Sequence, residues 1–393
     1  MANNNIQRLW QEMLTSMRRD GVLITPDVEA AFYAVPRHLF LPDVDLETVY
    51  SNQAIGLKKD AGGLLTSSSS QPSMMAIMLN QLNLKSGDNV LEIGTATGYN
   101  AAIMQHIVGN TGTVTTVEID KALANQAIEN LQRAHASRVT VVHGDGAQGY
   151  APRAAYDHIV STVGVWDIPS NWLNQLKPQG SVVAPIVIDG IQVSATFRPL
   201  SDGSYLSTHN RPCAFVYMLG SHAGPSFRRQ IATRPMYIMA DQVDRIDTTA
   251  LHILLSNDHE FCQFERGLEL TDYWFGYQIF LMLNASTDYI FFVYAVFDDQ
   301  TSYDVSGRGI GLFTKSSAAL ASYHEKALVH CFGGADAFLE MQTVLDHWLV
   351  LERPDMNQLR LRLIPKELGA PTIERGKLYE RREHYLHAWF EVT

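Results

Sequence analysis

The chain has 393 residues, too many for one small module and enough for two or three domains of ordinary size. Apolar residues make up 46% and charged residues 18%, which excludes a disordered or collagen-like chain and allows a sizeable core. Thirty Lys and Arg stand against 41 Asp and Glu, a formal charge of -11, so the basic surface that nucleic-acid binding demands is not expected, and neither is a nucleic-acid partner.

Ile6, Leu9, Trp10, Met13, Leu14 and Met17 recur at helical spacing and predict an N-terminal helix with one apolar face. A second helix is expected to start with Thr25 as N-cap and Pro26 at its first position. From Ser86 the pattern alternates: strand Asn89 to Ile93, helix Tyr99 to Val108, strand Thr113 to Val117, helix Lys121 to Ala134, strand Val139 to Val142. Strands at Asp157 to Ser161 and Ser181 to Ile188 continue it, with a helix from Ser170 to Leu176 between them. Such alternation predicts a doubly wound α/β domain with a mostly parallel sheet. Ile191 to Phe197 and Ala214 to Leu219 read as antiparallel strands at its edge, and the domain is expected to close near Gly220.

Gly220 to Pro235 reads as a linker or surface crossing. Residues 221–393 are expected to form a second, mixed α+β domain. Its candidate strands are Tyr289 to Phe297 and Gln358 to Ile364, and its candidate helices Ser317 to Ala327 and Ala335 to Leu349. The longest apolar run, Tyr289 to Phe297, falls short of the roughly 20 residues that span a bilayer, and the N-terminus is polar, so no membrane segment or secretory signal is expected. Cys213, Cys262 and Cys331 are widely spaced and unpaired in sequence, which fits a reducing cytoplasm and no zinc site.

The strongest local signal is the run from Asn89 to Tyr99, a buried strand entering a glycine-bearing turn and then a helix. Gly94 and Gly98 allow a ligand to approach backbone, and the helix start offers free N–H groups. The spacing departs from that of dinucleotide-binding loops, and a tight packing turn is the bland alternative. Glu92 precedes the first glycine, where a cationic amino-acid ligand wants a carboxylate. Glu118 ends the next strand, where a ribose wants one. Asp145, in His143-Gly-Asp-Gly146, ends the third, suited to an adenine amino group. Three carboxylates in register at one sheet edge imply S-adenosylmethionine.

Val35-Pro-Arg-His-Leu-Phe-Leu-Pro42, Ser70-Gln-Pro72, Val90-Leu-Glu-Ile-Gly94, Gly144-Asp-Gly146, Tyr156-Asp-His-Ile-Val160 and Gln175-Leu-Lys-Pro-Gln-Gly180, in this order, resemble the protein-L-isoaspartate O-methyltransferase family over about residues 30 to 220. The resemblance implies a Rossmann-like methyltransferase domain and methyl transfer to a side-chain carboxylate of a peptide. It also implies that Ser70 is the active-site serine and that Ser67, Ser68, Ser69, Ser70, Glu92, Glu118, Asp145 and Gly146 line the cofactor site. Read without it, Ser67 to Ser70 is a solvated turn whose side chains bond their own backbone.

Other residues weigh less. His252, His259 and Cys262 match no zinc spacing, and no metal is expected. Tyr273, Trp274, Phe275, Tyr277 and Phe280 are better read as core than as a peptide grip. The loop from Val163 to Ile168, at the carboxyl edge of the sheet, is expected to face the acceptor with Val163, Trp166 and Asp167. Ser73, Met74 and Met75 stand where the family usually carries a Tyr or His, and Val165, Trp166 and Asp167 where small residues are usual. The cofactor side is kept and the acceptor side altered. The roughly 170 residues after Gly220 are extra to the family's repair enzymes and resemble its long forms, which tailor ribosomally made peptides of the lanthipeptide and graspetide type. That resemblance implies methylation of an Asp in a dedicated, modified precursor peptide, the ester then closing to an aspartimide. General isoaspartyl repair is the alternative, and a non-catalytic binding module a third reading that the retained carboxylates oppose.

Overall fold

The computed structural model describes residues 2–241, 243–257, 259–297 and 300–392, in two units. The first comprises Met1–Pro185, Ser194–Ser207 and Cys213–Ala223, the second Ile186–Val193, Thr208–Pro212 and Gly224–Thr393.

The first unit opens with α1 (Ala2–Arg19), α2 (Pro26–Ala34) and the short α3 (Leu46–Val49). Met13, Leu14 and Met17 of the expected stripe are fully buried. Thr25 is the N-cap of α2 by position, but its hydroxyl bonds Asn80 Oδ1 at 3.0 Å and leaves the helix N–H groups alone. A hairpin of β1 (Ile55–Lys59) and β2 (Leu65–Ser69) leads into α4 (Pro72–Leu82), with Pro72 in the first turn, where no N–H is needed.

The alternation then plays out as β3 (Asn89–Ile93), α5 (Tyr99–Val108), β4 (Thr113–Glu118), α6 (Lys121–Arg133), β5 (Thr140–His143), β6 (Tyr156–Ser161), α7 (Ser170–Asn174) and β7 (Leu176–Ile188). β8 (Ile191–Pro199) and β9 (Tyr205–Cys213) follow without a helix. The parallel part runs β5-β4-β3-β6-β7. Because the chain winds outward from β3 to β5 and then returns to β6 on the other side, the strand order reverses between β3 and β6. A ligand crevice belongs at the carboxyl ends of strands at such a point.

The second unit is built on an antiparallel sheet of seven strands. These are β10 (Arg228–Gln230), β11 (Met236–Met239), β12 (His259–Gln263), β13 (Ile290–Val296), β16 (Arg308–Phe313), β17 (Ser317–Ser322) and β18 (Leu328–Gly333), ordered β10-β11-β13-β16-β17-β18-β12. A two-residue-strand hairpin, β14 (Thr301–Ser302) and β15 (Val305–Ser306), sits between β13 and β16 in the chain. The helices are α8 (Thr248–Leu255), α9 (Leu270–Asp272), α10 (Gln278–Asn284) and α11 (Asp336–Val350), and β19 (Leu359–Pro365), β20 (Lys377–Glu380) and β21 (His384–Phe390) close the chain. Tyr273, Tyr277 and Phe280 are buried, as core residues are.

Several elements differ from expectation. Ser317 to Ser322 is a strand rather than the start of a helix: Ala318, Ala319, Leu320 and Ala321 are buried between β16 and β18, where tertiary context overrides the helix preference of Ala and Leu. Ala214 to Leu219 forms no strand. It makes one bridge, Gly164 with Tyr217, and the sheet continues past β7 through β8 and β9 instead. Arg228 to Gln230, read as linker, pairs with β11, and the Arg228 guanidinium lies 3.4 Å over the Tyr237 ring. Among the described residues no helix is long and apolar enough to cross a membrane.

Candidate active site at the carboxyl edge of the sheet

β3 ends at Ile93, and the turn from Gly94 to Gly98 hands the chain to α5. Gly94 has φ +95°, and a Cβ there would lie 2.6 Å from Thr162 Oγ1 and 3.2 Å from Val163 Cγ1, so only glycine fits. Gly98, at φ +85°, faces away from the turn's open side: a Cβ would meet Leu131 at 3.2 Å and Ala127 at 3.5 Å, and its role is close packing of α5 on α6. Ala96 also has a positive φ, 48°, and is held there by a carboxylate: Glu118 Oε2 accepts its N–H at 2.9 Å.

The three carboxylates have three different environments. Glu118, at the end of β4, is 7% exposed and uses its other oxygen to accept the Asp120 N–H at 3.0 Å. Each oxygen keeps a lone pair for a ligand hydroxyl. Glu92 is fully buried and lines neither of the two cavities described below. Its oxygens accept from Asn100 Nδ2 at 2.7 Å and from the Thr116 hydroxyl at 2.6 Å. Burial pushes its carboxyl up to about 7, the Thr116 and Asn100 bonds pull it back in part, and the Glu118 charge adds to the rise. Asp145 accepts the Ala147 N–H at 3.0 Å and the Ser221 N–H at 2.9 Å. Burial raises its carboxyl, but the bonds from Ser221 and Ala147 outweigh it and hold it below the usual range.

Between these elements opens a cleft at the carboxyl ends of the strands. Ser67 and Ser68 line one side, Gly94 and Ala96 another, and Glu118, Ile119 and Gly146 the strand tips. Val216 to Leu219 supply the remaining wall. That segment is pinned by two backbone bonds, Gly164 N–H to Val216 O at 2.8 Å and Met218 N–H to Gly164 O at 2.9 Å. Next to it lies a smaller cavity lined by Ser68, Ser69 and Ser70, the Thr95 to Thr97 turn, Tyr99 and Asn100.

The serines are not a solvated turn. Leu65 to Ser69 is strand β2, with Ser67 and Ser69 buried and Ser70 just beyond it. Beneath them lies Arg37, without solvent exposure. Nη2 donates to the Ser70 carbonyl at 3.0 Å, the Ser69 carbonyl at 3.3 Å and the Gln53 carbonyl at 3.1 Å, and Nη1 to the Val49 carbonyl at 2.9 Å. Burial brings its guanidinium down to about 10. Of the expected acceptor loop, Val163 lines the cleft and Trp166 is half-buried, whereas Val165, Asp167 and Ile168 are interior, Asp167 at 2% exposure. Asp167 therefore does not face the opening.

Residues that sequence reasoning did not single out are Ala96, Ile119, Thr162 and Val216 to Leu219, all at the cleft, and Arg37 behind the serines. Arg37 had a signal, its place in the Val-Pro-Arg-His run. Val216 to Leu219 reads only as part of an edge strand, and nothing in its pattern places it at the cleft. His252, His259 and Cys262 gather no metal-binding set among the described residues.

The cleft fits a nucleoside joined to an amino acid. Gly94 and Gly146, where a Cβ would lie 2.6 Å from Thr162 Oγ1 and 2.5 Å from Ile93 Cγ2 respectively, line it with bare backbone, and Glu118 presents lone pairs to it. A Rossmann-like parallel sheet with this edge defines an S-adenosylmethionine-dependent methyltransferase. The family model of protein-L-isoaspartate(D-aspartate) O-methyltransferase matches residues 8–223. A protein-L-isoaspartate O-methyltransferase of Pyrococcus horikoshii is 33% identical over 223 residues, covering 56% of this chain and 98% of the relative. One of Methanosarcina mazei is 37% identical over 212 residues, covering 53% and 82%. A solved protein-L-isoaspartate O-methyltransferase structure aligns with a TM-score of 0.52 at 23% identity, over 90% of this chain and 96% of that one, a likeness of fold. The chain belongs to the protein-L-isoaspartate O-methyltransferase family and is an S-adenosylmethionine-dependent carboxyl O-methyltransferase.

Proposed function

We propose that the chain methylates the side-chain carboxylate of an Asp in one dedicated, modified precursor peptide, and that the ester then closes to an aspartimide. The observation that carries this reading is one of extent: the P. horikoshii relative is matched over 98% of its length by only 56% of this chain, which leaves residues 221–393 as a candidate reader of the peptide. Bound S-adenosylmethionine supplies an electrophilic methyl carbon. An Asp carboxylate, with an ordinary value near 4, is ionised at neutral pH and needs no general base, so the protein's contribution is position and exclusion of water.

In this reading Ser70 is the catalytic residue, its hydroxyl donating to the acceptor carboxylate. Glu118 accepts from the ribose hydroxyls, Asp145 and Gly146 border the adenine, and Ser67 to Ser69 with Gly94 border the amino-acid end. Val163 and Trp166 meet the peptide. In the ester, the following backbone nitrogen attacks the carbonyl, its proton leaves with methoxide as methanol, and a five-membered ring closes, a step that proximity favours. The three free cysteines fit action in a reducing cytoplasm.

General repair of L-isoaspartyl residues is the second reading. It is favoured by the names of the relatives, protein-L-isoaspartate O-methyltransferases 33% and 37% identical to this chain over the matched part. Mass spectrometry separates the two: the full chain and S-adenosylmethionine are incubated with a short L-isoaspartyl peptide and, separately, with modified peptides encoded beside its gene. Methylation of the encoded peptide alone, followed by loss of methanol, supports the dedicated enzyme. Turnover of the short isoaspartyl peptide returns the chain to repair.

A further inference from the structure

Arg37 is a buried cation with an unusual set of partners. Nη1 and Nη2 are taken up by backbone carbonyls and the Ser69 hydroxyl at 3.4 Å, and among the described residues no carboxylate pairs with it. Its Nε–H, also buried, has no hydrogen-bond partner. A buried charge with no counter-ion is costly, and native structures leave few buried polar groups unpaired.

Two more unpaired groups lie at the cavity in front of the serines that Arg37 holds. The Tyr99 hydroxyl and the Asn100 amide oxygen are buried without partners, and both residues line the small cavity that Ser70 lines. The cavity wall thus carries one unpaired donor and one unpaired acceptor, with the Arg37 charge behind its serines. A carboxylate accepts from the Tyr99 hydroxyl, and an ammonium group next to it suits the Asn100 oxygen.

We propose that Arg37 is a positioning residue of the methyl-transfer site: it fixes the Ser69 and Ser70 carbonyls and reserves a positive charge for a carboxylate bound in the cavity in front of them. That carboxylate has two sources, the amino-acid end of the cofactor or the acceptor side chain. Loss of the guanidinium therefore weakens whichever ligand carries it and spares a ligand that lacks it.

The test compares Arg37→Gln and Arg37→Lys in the full chain. Calorimetry measures S-adenosylhomocysteine and methylthioadenosine, which has the nucleoside but not the amino-acid end. Arg37→Gln should weaken S-adenosylhomocysteine about tenfold or more while methylthioadenosine stays within about twofold, and Arg37→Lys should keep the wild-type preference between them. If both nucleosides bind Arg37→Gln as they bind the wild type while KM for an acceptor peptide rises at constant kcat, the carboxylate is the acceptor's and the proposal stands with that source. Equal weakening of both nucleosides in the two variants would make Arg37 a purely structural brace and overturn it. So would unchanged binding of nucleosides and acceptor alike. Should Arg37→Gln fail to fold, loss of the preference in Arg37→Lys overturns it alone. The nucleoside comparison uses no acceptor, so its failure is distinct from an error about which peptide is methylated.

Discussion

Glu118 Oε2 accepts the Ala96 N–H at 2.9 Å, so the carboxylate at the tip of β4 also holds the turn after β3 in its left-handed conformation. One side chain thereby shapes the cleft and offers lone pairs to its occupant. Replacing it with Ala should weaken S-adenosylhomocysteine binding by about 1.5 to 3 kcal/mol, roughly ten- to a hundredfold. Isothermal calorimetry reads this directly, and an unchanged affinity would put the ribose elsewhere.

Ser70 sits beyond the end of β2 with its carbonyl held by Arg37, and among the described residues its hydroxyl bonds nothing. Ser70→Ala should therefore leave stability within about 0.5 kcal/mol of the parent and S-adenosylhomocysteine affinity within about twofold. Turnover should fall about ten- to a hundredfold, as expected when a hydrogen bond that orients the reacting group is lost. Turnover equal to that of the parent would remove Ser70 from the mechanism.

Gly94 leaves no room for a methyl group. Gly94→Ala combines an unfavourable φ of +95° with a 2.6 Å approach to Thr162 Oγ1, and should cost about 1 to 3 kcal/mol of stability together with cofactor affinity. Thermal unfolding with and without S-adenosylhomocysteine separates the two losses. A melting temperature equal to that of the parent would show that Thr162 yields at no cost.

Glu92 makes stability depend on pH. Its folded value, about 7, lies above the ordinary 4.5, so the folded state binds its proton more tightly than the unfolded chain does. Its contribution is fullest below pH 4.5, declines as pH rises to 7 and is flat above. Glu92→Gln keeps the shape without the charge, and should be about 3 kcal/mol more stable than the parent at pH 8 and no more stable at pH 4. Urea unfolding at the two pH values checks it, and equal gaps at both would mean that Glu92 does not ionise in this range.

The doubly wound unit was legible because its strands and helices carry their own periods: β3, α5, β4 and α6 begin and end within a residue or so of the apolar pattern. Glu118 and Gly94 could be found from their places at strand ends. What escaped was set by partners distant in sequence. Arg37 reads as an ordinary surface residue until the chain returns from Ser69 and Ser70 to cover it, and Ser317 to Ser322 reads as helix until β16 and β18 flank it. Asp167 looks like a loop residue facing outward, yet the loop turns it inward.

The cleft's remaining wall, Val216 to Leu219, is contributed more than a hundred residues after the turn at Gly94 and is bridged to Gly164. During synthesis the glycine turn, the Glu118 tip and the serine strand all leave the ribosome before that wall exists. A nascent chain ending short of Val216 has the serine side, the glycine turn and the strand tips but not this wall. The cleft is complete only when the Val216 carbonyl and Met218 N–H meet Gly164.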